Sequence, residues 1–432
     1  MNRLFHPTRD PSALIEQLTN TILPHRRVRA TTAHTHGGFV PPLRLEYLVG
    51  KHPEVELRLA TLDAMACSDR NQRIETIRRR GPELTRQWLP FAQRNRVAPI
   101  VAHALLDAYG SELPDRQVWE TIHRQELDRM AILLNELDEI AERLHAEEIP
   151  LVALKNAGIA RGIHACPGCC PMGDLDVLVE KARFRTAHQI ILDQGFELES
   201  RASIEKNELE EMLRSGGTEY RKEVDGQTVW FELQWRPVAG RWIRKDQEPD
   251  GATLIARSVP IDGTRVRLLE PADNMLQVAL HTAKHTYVRA PGLRLHTDVD
   301  RLALFQTPNW DTVIERAEAL QVKTATWFSF ALARTLLHSP VPTHVLKRLA
   351  PPRWKINLVL RWLRKVDVFE PDQQKFNRPE MIAFTALLYD STEGLTASAL
   401  DTEPERLTLR HLPQNLQRGT RRIFDLITRY ER

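Results

Sequence analysis

The sequence predicts an α+β protein: a mixed-sheet core over residues 149–268, an N-terminal α-helical domain over 43–148 leading into it, and a C-terminal α-helical domain over 269–432. An irregular segment occupies 1–42. Three observations carry this. Leu133, Leu137, Ile140 and Leu144 recur at i, i+4, i+7 and i+11, the stripe of an amphipathic helix. From Leu151 onward that period gives way to short apolar runs of strand length. Asp225-Gly226 then separates two β-rich runs, 218–224 and 227–235, as a two-residue hairpin turn.

Composition sets the bounds. With 432 residues, 42% hydrophobic and 27% charged, the chain is ordinary for a globular protein and has room for roughly three domains of ~150 residues. Lys and Arg number 60 against 57 acids, and a net charge of +3 gives no general argument for nucleic acid. No stretch approaches the ~20 apolar residues of a membrane span, and the first ten residues hold no signal-peptide core. The cysteines are Cys67 and a cluster of Cys166, Cys169 and Cys170, not a disulfide framework, so a reducing cytoplasm is expected.

Taken in order, 14–23 reads as a short helix and 26–42 as a basic loop. Within that loop His34-Thr-His36 resembles a metal pair, but it follows no strand and precedes Gly37-Gly38, so it is not read as a site. Arg78-Arg79-Arg80 before Gly81-Pro82 reads as a solvated helix end whose cations complement the dipole, in preference to a nucleic-acid contact. A strand over 151–154 is followed by a helix over 157–163. Phe184, Ala187 and Ile191 mark the next helix, with Gly195 as its C-cap. A strand over 196–199, a helix over 204–213 and the hairpin complete the core. Beyond Pro271, Met275, Leu276, Ala279 and Leu280 make an apolar face, and His281, Lys284 and His285 share a polar side. Two helices follow over 310–337, and the basic tail over 406–432 is expected to pack as a last helix through Ile423, Leu426 and Ile427.

Two motifs suggest chemistry. Asp174 and Asp176, at i and i+2, project from one face of a strand while Leu175, Val177 and Val179 turn inward. At ~4 Å and an effective dielectric of about 20, two such charges repel by roughly 4 kcal/mol. A divalent cation shared with a substrate phosphate relieves this; the alternative is a pair of aspartates facing water. Glu232 lies on the polar face of the hairpin's second strand, with Thr228, Trp230 and Gln234, and offers a third carboxylate. Separately, Cys166-x-x-Cys169-Cys170 with His164 could supply zinc ligands, but no second knuckle exists, and a turn that happens to carry cysteines is the simpler reading.

Over 88–340 the chain carries Arg96-Val-Ala-Pro99, Ile149-Pro-Leu-Val-Ala-Leu-Lys155, Pro171-Met-Gly-Asp-Leu-Asp-Val-Leu-Val179, Gly195-Phe196 and Phe231-Glu-Leu-Gln-Trp-Arg236. Leu280-His-Thr-Ala-Lys-His285, Asp298 and Asn309-Trp-Asp-Thr-Val-Ile-Glu-Arg-Ala317 follow. In this order and spacing they resemble an uncharacterised bacterial nucleotidyltransferase family, a branch of the polymerase-beta-type nucleotidyltransferase superfamily. The resemblance implies a polymerase-beta-type core and transfer of an NMP from an NTP to a hydroxyl or similar group on a small molecule, a protein or a nucleic-acid end. It implies Asp174, Asp176 and Glu232 as catalytic ligands of Mg2+ or Mn2+, and Lys155, Asn156, Lys284, His281 and His285 as nucleotide-binding residues. The chain departs from the family's pattern at Asn156, where glycine is usual, at Cys170, near the place of an arginine, and at Glu232-Leu-Gln-Trp235, where Asp-Leu-His-Trp is usual. Loss of the glycine removes the residue that permits close backbone approach to a phosphate. The other reading is a catalytically silent scaffold on the same fold, binding a nucleotide or a protein partner.

Overall fold

The computed structural model describes residues 45–49, 54–67, 70–79, 85–199, 216–238, 247–370 and 378–399, with 209, 210, 213 and 376. The expectations for 1–42, including the His34 and His36 spacing, and for the tail over 406–432 lie outside these residues, as does most of 204–213.

The first helices are α1 (Leu45–Val49), α2 (Val55–Met65), α3 (Arg70–Arg79), α4 (Thr85–Arg94), α5 (Ala98–Tyr109) and α6 (Arg116–Ala146). On α6, Leu133, Leu137, Ile140 and Leu144 are at most 1% exposed, as their spacing requires. Glu136 is buried beside that stripe, where Lys222 Nζ donates to its two oxygens at 2.8 and 2.7 Å. At the exposed end of α3, Arg78 donates to the Ala108 carbonyl and Arg79 pairs with Glu75, in keeping with a helix terminus.

The sheet follows: β1 (Leu151–Ala153), α7 (Lys155–Gly162), β2 (Leu175–Leu178), α8 (Phe184–Asp193), β3 (Glu197–Leu198), β4 (Gly217–Val224), β5 (Gln227–Gln234), α9 (Gly251–Arg257), β6 (Val259–Pro260) and β7 (Val266–Leu268). Its order is β3-β4-β5-β2-β1-β7-β6. It is mixed: β2 runs antiparallel to β1 but parallel to β5, and β1 runs parallel to β7. Asp225 and Gly226 both have positive φ (50° and 75°), as a type I′ hairpin requires, and the turn sets Val224 opposite Gln227. Val229, Phe231 and Leu233 are buried on one face, so a one-residue slip would expose all three. On α8, Phe184, Ala187 and Ile191 are the buried residues, and Gly195 takes φ +86° just past its end.

The chain closes with α10 (Pro271–Lys284), α11 (Arg294–Arg301), α12 (Trp310–Ala319), α13 (Lys323–Leu337), α14 (Thr343–Leu349), α15 (Arg353–Lys365), α16 (Arg378–Leu388) and α17 (Thr392–Ala399). One apolar cluster runs from Leu48 to Leu388 through helices and sheet alike. Arg58 of α2 reaches Asp367 beyond α15 at 2.6 Å, so the two helical regions touch. Among the described residues no helix is long and apolar enough to cross a membrane.

Candidate functional site

Parallel pairing of β2 with β5 sets Asp176 directly opposite Glu232. Asp174 precedes β2 by one residue, and one oxygen from each of the three carboxylates lies within 4.8 Å of the others. Asp176 is 4% exposed; Asp174 and Glu232 are half-buried. Two donors converge on Asp176 Oδ1: Lys155 Nζ, and Gln234 Nε2 at 2.9 Å. Lys155 opens α7 with φ +51°, a left-handed conformation uncommon for a side-chain-bearing residue.

The electrostatics follow from this packing. Burial pushes the Asp176 carboxyl well above the usual range; Lys155 opposes the rise, and Asp174 and Glu232 add to it. Burial also acts to raise Glu232, but Lys155, Lys284 and the hydrogen bond with Asp176 outweigh it and hold Glu232 low. Burial disfavours the Lys155 ammonium, yet Asp176, Glu232 and Asp174 more than restore it. Burial and mutual repulsion thus act against the carboxylates, and the Lys155 ammonium offsets them.

Helix α10 supplies a second wall. Burial and Lys155 draw the Lys284 pKa down while Glu232, Asp176 and Asp174 oppose them, so Lys284 stands within the field of the triad. The His281 and His285 rings meet edge to face at 4.8 Å. Burial, then Lys155, holds His281 well below its ordinary value; burial, then Lys284, takes His285 down to about 3. Both are neutral imidazoles, half-buried where a solvent-facing stripe was the alternative. Asn156 is buried beside Lys155, with Oδ1 unpartnered among the described residues. The structure thus gathers Asp174, Asp176, Glu232, Lys155 and Lys284, whereas Asn156, His281 and His285 lie around them without a hydrogen bond to the triad.

Sequence reasoning missed three contributors. Gln234 shares the Glu232 face by the same period of two, and that alignment was its only signal. Arg294 and Arg301 of α11 had none. Arg294 donates to the Pro171 carbonyl and feels the Asp174 charge, and Arg301, fully buried, donates to the Cys169 carbonyl. Near them burial lifts Asp298 to about 6 against the pull of Arg301 and Arg294.

The cysteine loop is a turn, as expected, but the ligand set weighed for zinc is not the one its geometry gathers. His164 is not a fourth ligand: its Nδ1 folds back on Cys166, 3.0 Å from O and 3.2 Å from N, and its ring packs edge-on against Phe305. Cys170 Sγ turns to the Cys166 carbonyl. The sulfurs of Cys166 and Cys169 meet His103 and His123 instead, which come from two helices and not from a second knuckle.

No curated protein and no solved structure matches the chain. A family model described as "Uncharacterised nucleotidyltransferase" matches residues 85–338, a span holding the whole sheet, the three carboxylates, Lys155 and Lys284. That span exceeds half of the chain, and the protein belongs to this nucleotidyltransferase family.

Proposed function

We propose that the protein is a metal-dependent nucleotidyltransferase with a polymerase-beta-type core, moving an NMP from an NTP to a hydroxyl or similar group on an acceptor. One observation carries the reading: carboxylates from two neighbouring strands converge in register on one point. Their donor atoms are hard oxygens, which suit Mg2+ or Mn2+ and not a thiophilic metal. Asp174, Asp176 and Glu232 would hold the ion, which when bound neutralises charge on the phosphate oxygens.

The chain's own groups divide the remaining tasks. Glu232, held low by Lys155 and Lys284, would bind a second metal or accept the proton of the attacking hydroxyl. As the new O–Pα bond forms, the bond from Pα to the bridging oxygen breaks and pyrophosphate leaves. Lys155 and Lys284 stand within the field of the three carboxylates, where the transferring phosphates would gather negative charge. His281 and His285, both neutral, offer hydrogen bonds to the nucleotide, and the Asn156 carboxamide donates in place of a glycine backbone. The helices of 45–146 and 271–399 would serve as walls that select the acceptor around the core of 149–268. The free thiols suit a cytoplasmic setting.

One observation favours the silent scaffold: Lys155 pairs with Asp176, which gives the acidic cluster a cation from within the chain. Incubation with each labelled NTP and Mg2+ separates the two readings. Pyrophosphate release by wild type, absent in Asp174→Ala/Asp176→Ala, supports the enzyme. Nucleotide binding without turnover in both proteins sinks it in favour of the scaffold.

A further inference from the structure

We propose that His103, His123, Cys166 and Cys169 form a structural zinc site. His103 lies on α5 and His123 on α6, while the cysteines flank Pro167-Gly168 in a Cys-x-x-Cys spacing. One donor atom from each of the four lies within 4.8 Å of the others. Cys166 Sγ is 3.3 Å from Cys169 Sγ, 3.6 Å from His123 Nε2 and 4.0 Å from His103 Nδ1. A tetrahedral zinc with Zn–S of ~2.3 Å and Zn–N of ~2.0–2.1 Å spaces its donors by about 3.3–3.8 Å, a range that the three distances from Cys166 Sγ already approach.

The local packing is built for this approach. A Cβ on Gly168 would sit 2.9 Å from Leu127 Cγ and 3.0 Å from His123 Cε1, so a larger residue would hold the turn away from α6. Cys169 is buried and the other three are half-buried. Two thiols and two imidazoles make a borderline-soft set with no carboxylate in it, which selects zinc over Mg2+. Four protein ligands leave no open coordination position, which assigns the site to structure and not to catalysis.

Its place in the chain gives it a purpose. The loop runs from Cys166 to Asp174, with Arg301 holding the Cys169 carbonyl and Arg294 the Pro171 carbonyl. Zinc would fasten the start of this loop to α5 and α6, opposite those arginines, and so position the segment that delivers Asp174. The zinc site does not depend on the transferase reading.

Full-length protein purified without chelator or metal-affinity tag is assayed for zinc by mass spectrometry. About one zinc per chain is expected, in wild type and in Asp174→Ala/Asp176→Ala alike, with a zinc-edge absorption fit of two sulfurs at ~2.3 Å and two nitrogens at ~2.0–2.1 Å. Cys166→Ser/Cys169→Ser should lose the metal. Because that variant can fail to fold, wild type is also loaded with cobalt(II), and the intense visible bands of a tetrahedral thiolate complex are expected. Zinc-free wild type that neither takes up zinc after anaerobic reduction nor gives those bands with cobalt(II) overturns the proposal. So does a Cys166–Cys169 disulfide in freshly purified protein, or an absorption fit without sulfur.

Discussion

Two clusters of ligating side chains stand at the ends of one loop, and they are built in opposite ways. The carboxylates come from adjacent strands and are offset from within, by Lys155. The thiols and imidazoles come from two helices and a turn; the hydrogen bond from Cys169 already draws the Cys166 thiol down, and a metal would displace the proton that Cys169 keeps. The contrast teaches that a cluster carrying its own cation is partly balanced before any ion arrives. A closed set of two thiols and two imidazoles would gain most from an ion that stays.

The largest expected effect separates the two clusters. Asp174→Ala/Asp176→Ala should reduce nucleotide turnover by about 10²–10³-fold or more while zinc content stays unchanged. Parallel loss of zinc in that variant would show the clusters to be one unit.

Next comes stability. Asp176→Ala strips a buried ammonium of its partner and should cost about 3–5 kcal/mol in urea unfolding, whereas Lys155→Met/Asp176→Leu should recover most of it. A double variant as unstable as the single one would show that internal charge balance is not what holds the acidic cluster.

A pH effect tests α11, the helix that clamps the loop between the clusters. Burial takes His296 down to about 4, only partly offset by its contact with the Tyr287 carbonyl. Its folded pKa is below its unfolded value, so between pH 6.5 and about 4 the unfolded chain binds the extra proton and stability falls as pH falls. At pH 5 the loss is about 2 kcal/mol relative to neutral pH. His296→Gln should flatten unfolding free energy across that window by about this amount; an unaltered slope would remove His296 as its source.

The smallest effect concerns Gln234. Gln234→Ala removes one hydrogen bond to Asp176 and should weaken Mn2+ binding by about 10-fold at a stability loss of about 1 kcal/mol, read by metal titration and urea unfolding. Unchanged Mn2+ affinity would show that Gln234 does not orient the ligand.

Much of the acidic cluster was legible because strands write their geometry into a period of two. Asp174 with Asp176, and Glu232 against Val229, Phe231 and Leu233, are readable one strand at a time, and Asp225-Gly226 announced its hairpin. That β2 lies beside β5 was not readable from either strand alone. Pairing Asp176 with Glu232 depends on sheet order, and only the family resemblance hinted at it. The sulfur cluster was half legible: Cys166-Pro-Gly-Cys169 has a ligand spacing, but His103 and His123 are single histidines on separate helices that only tertiary packing unites. Arg294 and Arg301 left no trace, since a buried arginine looks in sequence like any surface one. Asn156 and Lys155 sit where a helix start was not foreseen, and neither the φ of +51° at Lys155 nor its contact with Asp176 on the neighbouring strand is written in the local sequence.

The most direct test is a Mn2+ titration followed by electron paramagnetic resonance, with a non-hydrolysable NTP analogue, on wild type and on Asp174→Asn, Asp176→Asn and Glu232→Gln. Saturable Mn2+ binding in wild type, weakened about 10-fold or more by each of the three substitutions, is the expected result. Glu232→Gln binding Mn2+ as tightly as wild type would contradict a cation shared between the two strands.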